Sequence, residues 1–305
     1  MNQGMQAYLQ ALGEEALAEL GNYYQVGVSQ TMAQAIRAPN ADDAIVAQFL
    51  PQVAELSIDQ AELDDPIGDY AHMPVEGLIH RYENRVLWRV TPRCAVYCRF
   101  CFRKESIGRK GEALSAADRL AGLEYIARHP EIEEVIFSGG DPLMLSNAKL
   151  AQFLQALETM AHVRRVRFHT RMPLVEPKRI DAGLCALFER FEKARFLVLH
   201  ANHAQEFTVD GRQALRRLQS MGMVMWSQSV LLAGVNAEVA ILADLMNTFL
   251  DCGVVPYYLH HLDLAKGTGH FRLTLEQGLA LEAGLRARLS GVAMPTYVVE
   301  IPVGG

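Results

Sequence analysis

Six short apolar runs, each followed by a stretch of helical periodicity, constrain the fold of this chain more than anything else in it. The runs are VLWRV (86–90), EVIFSG (134–139), VRRVRFHT (163–170), RFLVLHA (195–201), MVMWSQSVLL (223–232) and VVPYYLHH (254–261). Between and after them, apolar residues recur three and four apart over 115–128, 147–161, 178–192, 208–221, 236–252 and 274–289. Strands that alternate with helices pair in parallel through right-handed crossovers. The outcome is either an open doubly wound sheet or a complete or partial barrel, and in both the working face lies at the carboxyl ends of the strands. With 305 residues, half of them hydrophobic, the chain can bury a large core.

Ahead of the first run, residues 7–20, 32–36 and 45–56 show helical spacing broken at Pro39 and Pro51, with no visible chemistry. The stretch DDPIGDYAHMPVEG (64–77) reads as a linker. Residues 1–75 are therefore expected to form an N-terminal helical extension and residues 76–305 the body. A net charge of −6 leaves no general basic face, so nucleic acid is not an expected partner. No stretch is apolar for long enough to span a bilayer, and the acidic start lacks the pattern of a secretory signal. No membrane association and a cytoplasmic location are expected.

Five cysteines, three of them inside CAVYCRFC, argue against a disulfide framework and for reduced thiolates that hold metal. Structural zinc wants four closed ligands, usually as two short-spaced pairs. Here Cys94, Cys98 and Cys101 have no second pair, since Cys185 and Cys252 stand alone. A [4Fe–4S] cluster is normally held by four thiolates, so three leave one iron open to an outside ligand. The spacing fits a compact loop after VLWRV, at the carboxyl end of the sheet. A zinc knuckle completed by a distant histidine stays open as the non-catalytic alternative.

RCAVYCRFCFRK resembles the motif of radical S-adenosylmethionine enzymes, and the blocks around it resemble the lysine 2,3-aminomutase family in particular, which includes the β-lysine-forming enzyme associated with elongation factor P. LIHRYENRVL, SGGDPL, FHTRMPL, SQSVLLAGVN, PYYLHHLDLAKGTGHF and MPTYVVE match family blocks in order, from DPIGD at 65 onward. The resemblance implies an α/β fold, a partial (βα)6 TIM-like barrel of parallel strands with an N-terminal helical extension. It implies a [4Fe–4S] cluster, S-adenosyl-L-methionine and pyridoxal 5'-phosphate as cofactors. The activity implied is an isomerase moving the α-amino group of L-lysine to the β-carbon.

Carried over residue by residue, the resemblance puts the cluster on Cys94, Cys98 and Cys101, and S-adenosylmethionine against Ser138, Gly139, Gly140, Asp141 and His200. The glycines of SGGD are expected to let the backbone approach that ligand closely. Arg81, Arg85, Gln228 and Asn236 would hold pyridoxal phosphate, the arginines by the paired donors that suit a phosphate. Arg103 would clamp the substrate carboxylate, and Asp263 and Glu300 the side-chain ammonium, which selects a small-molecule basic amino acid. Glutamate at 300, one methylene longer than the aspartate expected there, leaves ornithine or arginine open as substrates. An external electron donor such as flavodoxin or ferredoxin and a homo-oligomer complete the implied partners. The family's Schiff-base lysine is expected just beyond Gly305, so no catalytic residue is assigned within the chain. The expectation is that the chain is cut short there. If it is not, the same scaffold without that lysine would be inactive as a mutase or run another radical reaction, unless Lys266 substituted. No zinc is expected.

Overall fold

The computed structural model describes residues 3–108 and 114–301. Four helices open the chain: α1 (Gln3–Leu12), α2 (Glu14–Tyr23), α3 (Gln30–Ala35) and α4 (Ala44–Phe49). A hairpin follows, made of β1 (Leu78–Tyr82) and β2 (Arg85–Thr91). The chain then runs through α5 (Ala116–Arg128), β3 (Glu134–Gly139), α6 (Asn147–Glu158), β4 (Arg165–Thr170), α7 (Met172–Val175) and α8 (Ala182–Arg190). It continues with β5 (Ala194–His200), α9 (Val209–Ser220), β6 (Val224–Val230), α10 (Val239–Asp251), β7 (Val255–His260), α11 (Leu275–Arg286) and β8 (Thr296–Val298). All six expected strands are present within a few residues of the expected bounds. β1 and β8 are additional, so Arg81 lies inside a strand and Arg85 opens one, where the sequence suggested a turn ahead of the first strand. The helix expected at 45–56 divides at Pro51 into α4 and a 3₁₀ turn, Val53–Leu56.

The strands form one eight-stranded sheet in chain order, antiparallel only between β1 and β2. Sequential order with crossovers of one hand places the helices on one face, so the sheet curls and its other face becomes an interior. β1 and β8 are not paired with each other among the described residues, and the barrel is partial.

Strand alternation divides the side chains between these two faces. Trp88, Phe137, Phe168, Leu197 and Met225 sit in register across β2 to β6, all nearly or fully buried under the helices. The Phe137 and Phe168 rings stack at 5.0 Å. Each such side chain contributes roughly 1.5–3 kcal/mol by leaving water. Gly122 of α5 lets that helix lie on Trp88, because a Cβ there would meet the indole at 2.5 Å. Ser115, Ser146, Asp181, Thr208 and Thr274 start α5, α6, α8, α9 and α11 by accepting from the backbone of the first turn. Among the described residues no helix is long and apolar enough to cross a membrane.

The N-terminal helices are bound to the loop that follows β2. Tyr97 N donates to Gly27 O at 3.0 Å and Arg99 N to Gln48 O of α4 at 2.8 Å. Arg99, 1% exposed, places Nε and Nη2 on the Glu55 carboxylate at 2.9 and 2.6 Å. Lys104 Nζ reaches the same carboxylate at 3.1 Å and Gly267 O at 2.7 Å, tying front, loop and barrel at one point.

Candidate active site

The carboxyl ends of the strands enclose a cavity of about 340 Å³, at the lower end of the roughly 300–1,000 Å³ usual for small-ligand sites. Its lining includes Cys94, Cys98 and Cys101, Ser138 to Asp141, the charged residues Asp69, Arg81, Arg85, Arg103, Asp263 and Glu300, and His169, His200, Gln228 and His260.

The cysteine loop leaves β2 and folds back on itself, with Cys101 N donating to Cys98 O and Lys104 N to Cys101 O. All three thiols are free and line the same cavity. Burial pushes the Cys94 thiol well up, with neighbouring Asp141, Cys101 and Cys98 adding to it. Burial also raises Cys98, and takes Cys101 to about 11. Uptake of metal by these thiols therefore releases protons. Among the described residues no three His, Cys, Asp or Glu side chains converge on one ion position. A single zinc ion needs such convergence, with ligands at about 2.0–2.3 Å. Thiolates that each bind a different iron of a cluster need only border a common space, and these three line one cavity.

β3 ends against this loop. Gly140 N donates to Thr91 O at 2.6 Å and Asp141 N to Arg93 O at 2.8 Å. A Cβ on Gly140 would stand 2.2 Å from Arg93 O, and one on Gly139, whose φ is 114°, 2.7 Å from Thr91 O. The glycines thus allow β3 to approach the cysteine loop, and both also line the cavity. Asp141 is occupied as well: its carboxylate accepts from Thr170 Oγ1 at 2.7 and 2.8 Å, Arg171 N at 2.8 Å and Leu143 N at 3.0 Å.

Two histidines carry the opposite condition. His200 Nε2 and His169 Nε2 are buried with no partner among the described residues. Burial holds both imidazoles well below their ordinary pKa, so they are neutral and can accept as well as donate. An unpaired buried polar atom costs about 1–3 kcal/mol, which a ligand in the cavity would relieve.

Two of the arginines that line the cavity already have partners. Arg103 donates to Asp69 Oδ2 through Nε at 3.1 Å and Nη2 at 2.5 Å. Asp69 belongs to the stretch that the sequence suggested was only a linker, and Asp65 holds it by accepting from the Asp69 and Tyr70 amides at 2.8 and 2.9 Å. Arg81 donates to Ile67 O in the same turn and lies 4.0 Å from Glu300. Arg85 stacks on Tyr82, 3.7 Å above the ring centroid. Burial, and then Glu300, push the Asp263 carboxyl up to about 7.

Two residues named from sequence do not join this group. Asn236 is fully buried behind it: its Oδ1 accepts from Leu232 N, and its Nδ2 donates to Asn202 O and Val230 O. With every polar atom engaged, it props Asn202 and does not line the cavity. Lys266 pairs with Asp64 at 2.5 Å, away from the cavity. No lysine among the described residues lines it. The chain end at Gly305 lies outside the described residues.

Residues 88–190 match the model of the Radical SAM superfamily. The L-lysine 2,3-aminomutase of Escherichia coli is 38% identical over 283 residues, covering 91% of this chain and 81% of that protein. That of Fusobacterium nucleatum is 38% identical over 259 residues, and that of Acetoanaerobium sticklandii 34% over 292 residues. The matched part of this chain spans 60% of the Fusobacterium protein and 70% of the Acetoanaerobium one. Among solved structures, a radical SAM methyltransferase from Sphaerobacter thermophilus aligns over 73% of this chain and 68% of its own, with a TM-score of 0.51 at 20% identity, a likeness of fold alone.

Proposed function

Since this chain belongs to the L-lysine 2,3-aminomutase family of radical S-adenosylmethionine proteins, we propose that it moves the α-amino group of L-lysine to the β-carbon. The observation that carries the reading is one cavity lined both by three thiols and by Arg103, Asp263 and Glu300. When bound, a [4Fe–4S] cluster with S-adenosylmethionine supplies a carbon-centred radical after one-electron reduction, and pyridoxal phosphate carries the migrating nitrogen.

The chain's own residues divide the work by charge. Cys94, Cys98 and Cys101 hold the cluster, and Ser138 to Asp141 with His200 border S-adenosylmethionine. Arg85, which has donors to spare, faces the phosphate of the second cofactor with Arg81, and Gln228 reaches its ring. Arg103 takes the substrate carboxylate once Asp69 yields its place. Asp263 and Glu300 hold a side-chain ammonium, because two buried carboxylates in one pocket are costly unless a cation joins them. Apolar residues of the lining, among them Leu87, Ile136 and Leu262, keep water from the reacting carbon. An external one-electron donor, of the flavodoxin or ferredoxin kind, and a homo-oligomer belong to the same proposal.

Anaerobic reconstitution with iron and sulfide, followed by electron paramagnetic resonance, tests it. A reduced [4Fe–4S]⁺ signal that changes on addition of S-adenosylmethionine is expected, with β-lysine formed from lysine once pyridoxal phosphate is present. No such signal would end the radical reading. Turnover of ornithine or arginine and not lysine would overturn the substrate alone. Because no described lysine lines the cavity, a second reading is a radical protein of this scaffold that does not turn over as a mutase. Cluster and S-adenosylmethionine signals without pyridoxal phosphate absorbance would favour it.

A further inference from the structure

Arg171 follows β4 and is 7% exposed, with its guanidinium in the wall of the cavity. Its Nη1 lies 2.9 Å from Cys98 Sγ, and among the described residues neither Cys94 nor Cys101 has a cationic side chain hydrogen-bonded to its sulfur. Its Nη2 donates to Glu206 Oε2 at 2.6 Å and to Gln48 Oε1 at 3.1 Å. Phe49 and Phe100 lie under the same guanidinium, at 4.9 and 5.6 Å from their ring centroids. A cation is thus fixed on one sulfur with two aromatic rings beside it.

The partners of Arg171 are themselves pinned. Glu206 Oε1 accepts from Asn202 N at 2.7 Å, His203 N at 3.0 Å and Gln48 Nε2 at 3.3 Å. Gln48, from α4, is fully buried and also accepts from Asn202 Nδ2 at 3.1 Å. Neither Glu206 nor Gln48 lines the cavity. A buried ion pair of this kind is poor value for stability alone, since the desolvation of two charges offsets most of their attraction.

Resting on the proposed cluster, we propose that Arg171 is a positioning residue that sets the reduction potential of the [4Fe–4S] centre through Cys98, with Glu206 and α4's Gln48 holding it there. Reduction takes one electron from an external reductant, [4Fe–4S]²⁺ + e⁻ → [4Fe–4S]⁺, and adds one negative charge beside the guanidinium. A fixed cation stabilises the reduced form more than the oxidised one, and hydrogen bonds to cluster sulfurs act in the same direction. Arg171 therefore raises the potential. Glu206, as its counter-charge, lowers it.

The experiment is a dithionite titration of the reconstituted full chain with mediator dyes, followed by electron paramagnetic resonance, with iron content and circular dichroism measured on each variant. For Arg171→Gln the reduced-to-oxidised ratio at the wild-type midpoint is expected to fall about tenfold, which is 59 mV for a one-electron couple. Arg171→Lys keeps a cation and is expected to recover part of that change. Glu206→Gln keeps an Oε1 for its backbone donors and loses the charge facing Arg171, so the ratio is expected to rise. Opposite signs distinguish electrostatics from a packing defect. Wild-type midpoints in Arg171→Gln and Glu206→Gln, or shifts in one direction for both, would overturn the proposal while leaving the cluster assignment standing. If Arg171→Gln holds no iron, the Lys and Glu206→Gln shifts decide by the same signs. A wild-type chain with no [4Fe–4S]⁺ signal overturns the functional reading along with this one.

Discussion

Asp263 shows how burial turns one carboxylate into a sensor of its ligand. Desolvation, and then Glu300, push it up to about 7. A carboxyl whose folded pKa is raised contributes stability that is present at low pH and lost as pH rises through that pKa. The protein is thus expected to lose stability as pH rises from about 4, the ordinary carboxyl value, to about 7, and Asp263→Asn to flatten that slope in thermal melts. A lysine ammonium binds the ionised form, so KM for lysine is expected to fall as pH rises through about 7. In Asp263→Asn the KM should be several-fold higher and lose that dependence; an unchanged KM would remove Asp263 from substrate binding. Cys94, Cys98 and Cys101 were legible because eight residues contain all three. Asp69 and Arg171 were not, because their partners Arg103 and Cys98 lie 34 and 73 residues away. No local spacing distinguishes those two residues from solvated surface charges.

At the level of elements, periodicity carried the reading well where strands are long and buried. β2 to β7 each place apolar residues on the helix-facing side and mixed residues inside, and β3, β4, β5 and β7 end on Gly139, Thr170, His200 and His260, which line the cavity. β8 spans only Thr296–Val298 and β1 pairs antiparallel at the edge, and such short or half-exposed strands have too few positions to show a period of two. The close contact between β3 and the cysteine loop also needed the fold to be seen. Gly140→Ala puts a methyl group 2.2 Å from Arg93 O, where both atoms belong to constrained backbone. We expect it to cost about 1–3 kcal/mol in urea unfolding and to lower the iron bound per chain after reconstitution. Full iron content with unchanged stability would show that the loop moves freely from β3.

Across the whole molecule, the N-terminal helices are part of the site. Glu55 joins Arg99 and Lys104 of the cysteine loop, and Lys104 joins Gly267 of the barrel, with the carboxylate fully buried. Arg99→Ala leaves Glu55 buried without its main partner and is expected to destabilise the fold by about 3–5 kcal/mol in denaturant unfolding. A loss under 1 kcal/mol would mean that the front is an appendage. The sequence by itself determined the alternating sheet, the clustering of three thiols and the family, because each rests on residues close together or in fixed order. Only the tertiary structure decided that Arg103 is held by Asp69, that Asn236 stands behind the cavity, and that α4 reaches Cys98 through Arg171. Those facts depend on which distant side chains share a desolvated space, and burial of charge, unlike periodicity, leaves no mark on the order of residues.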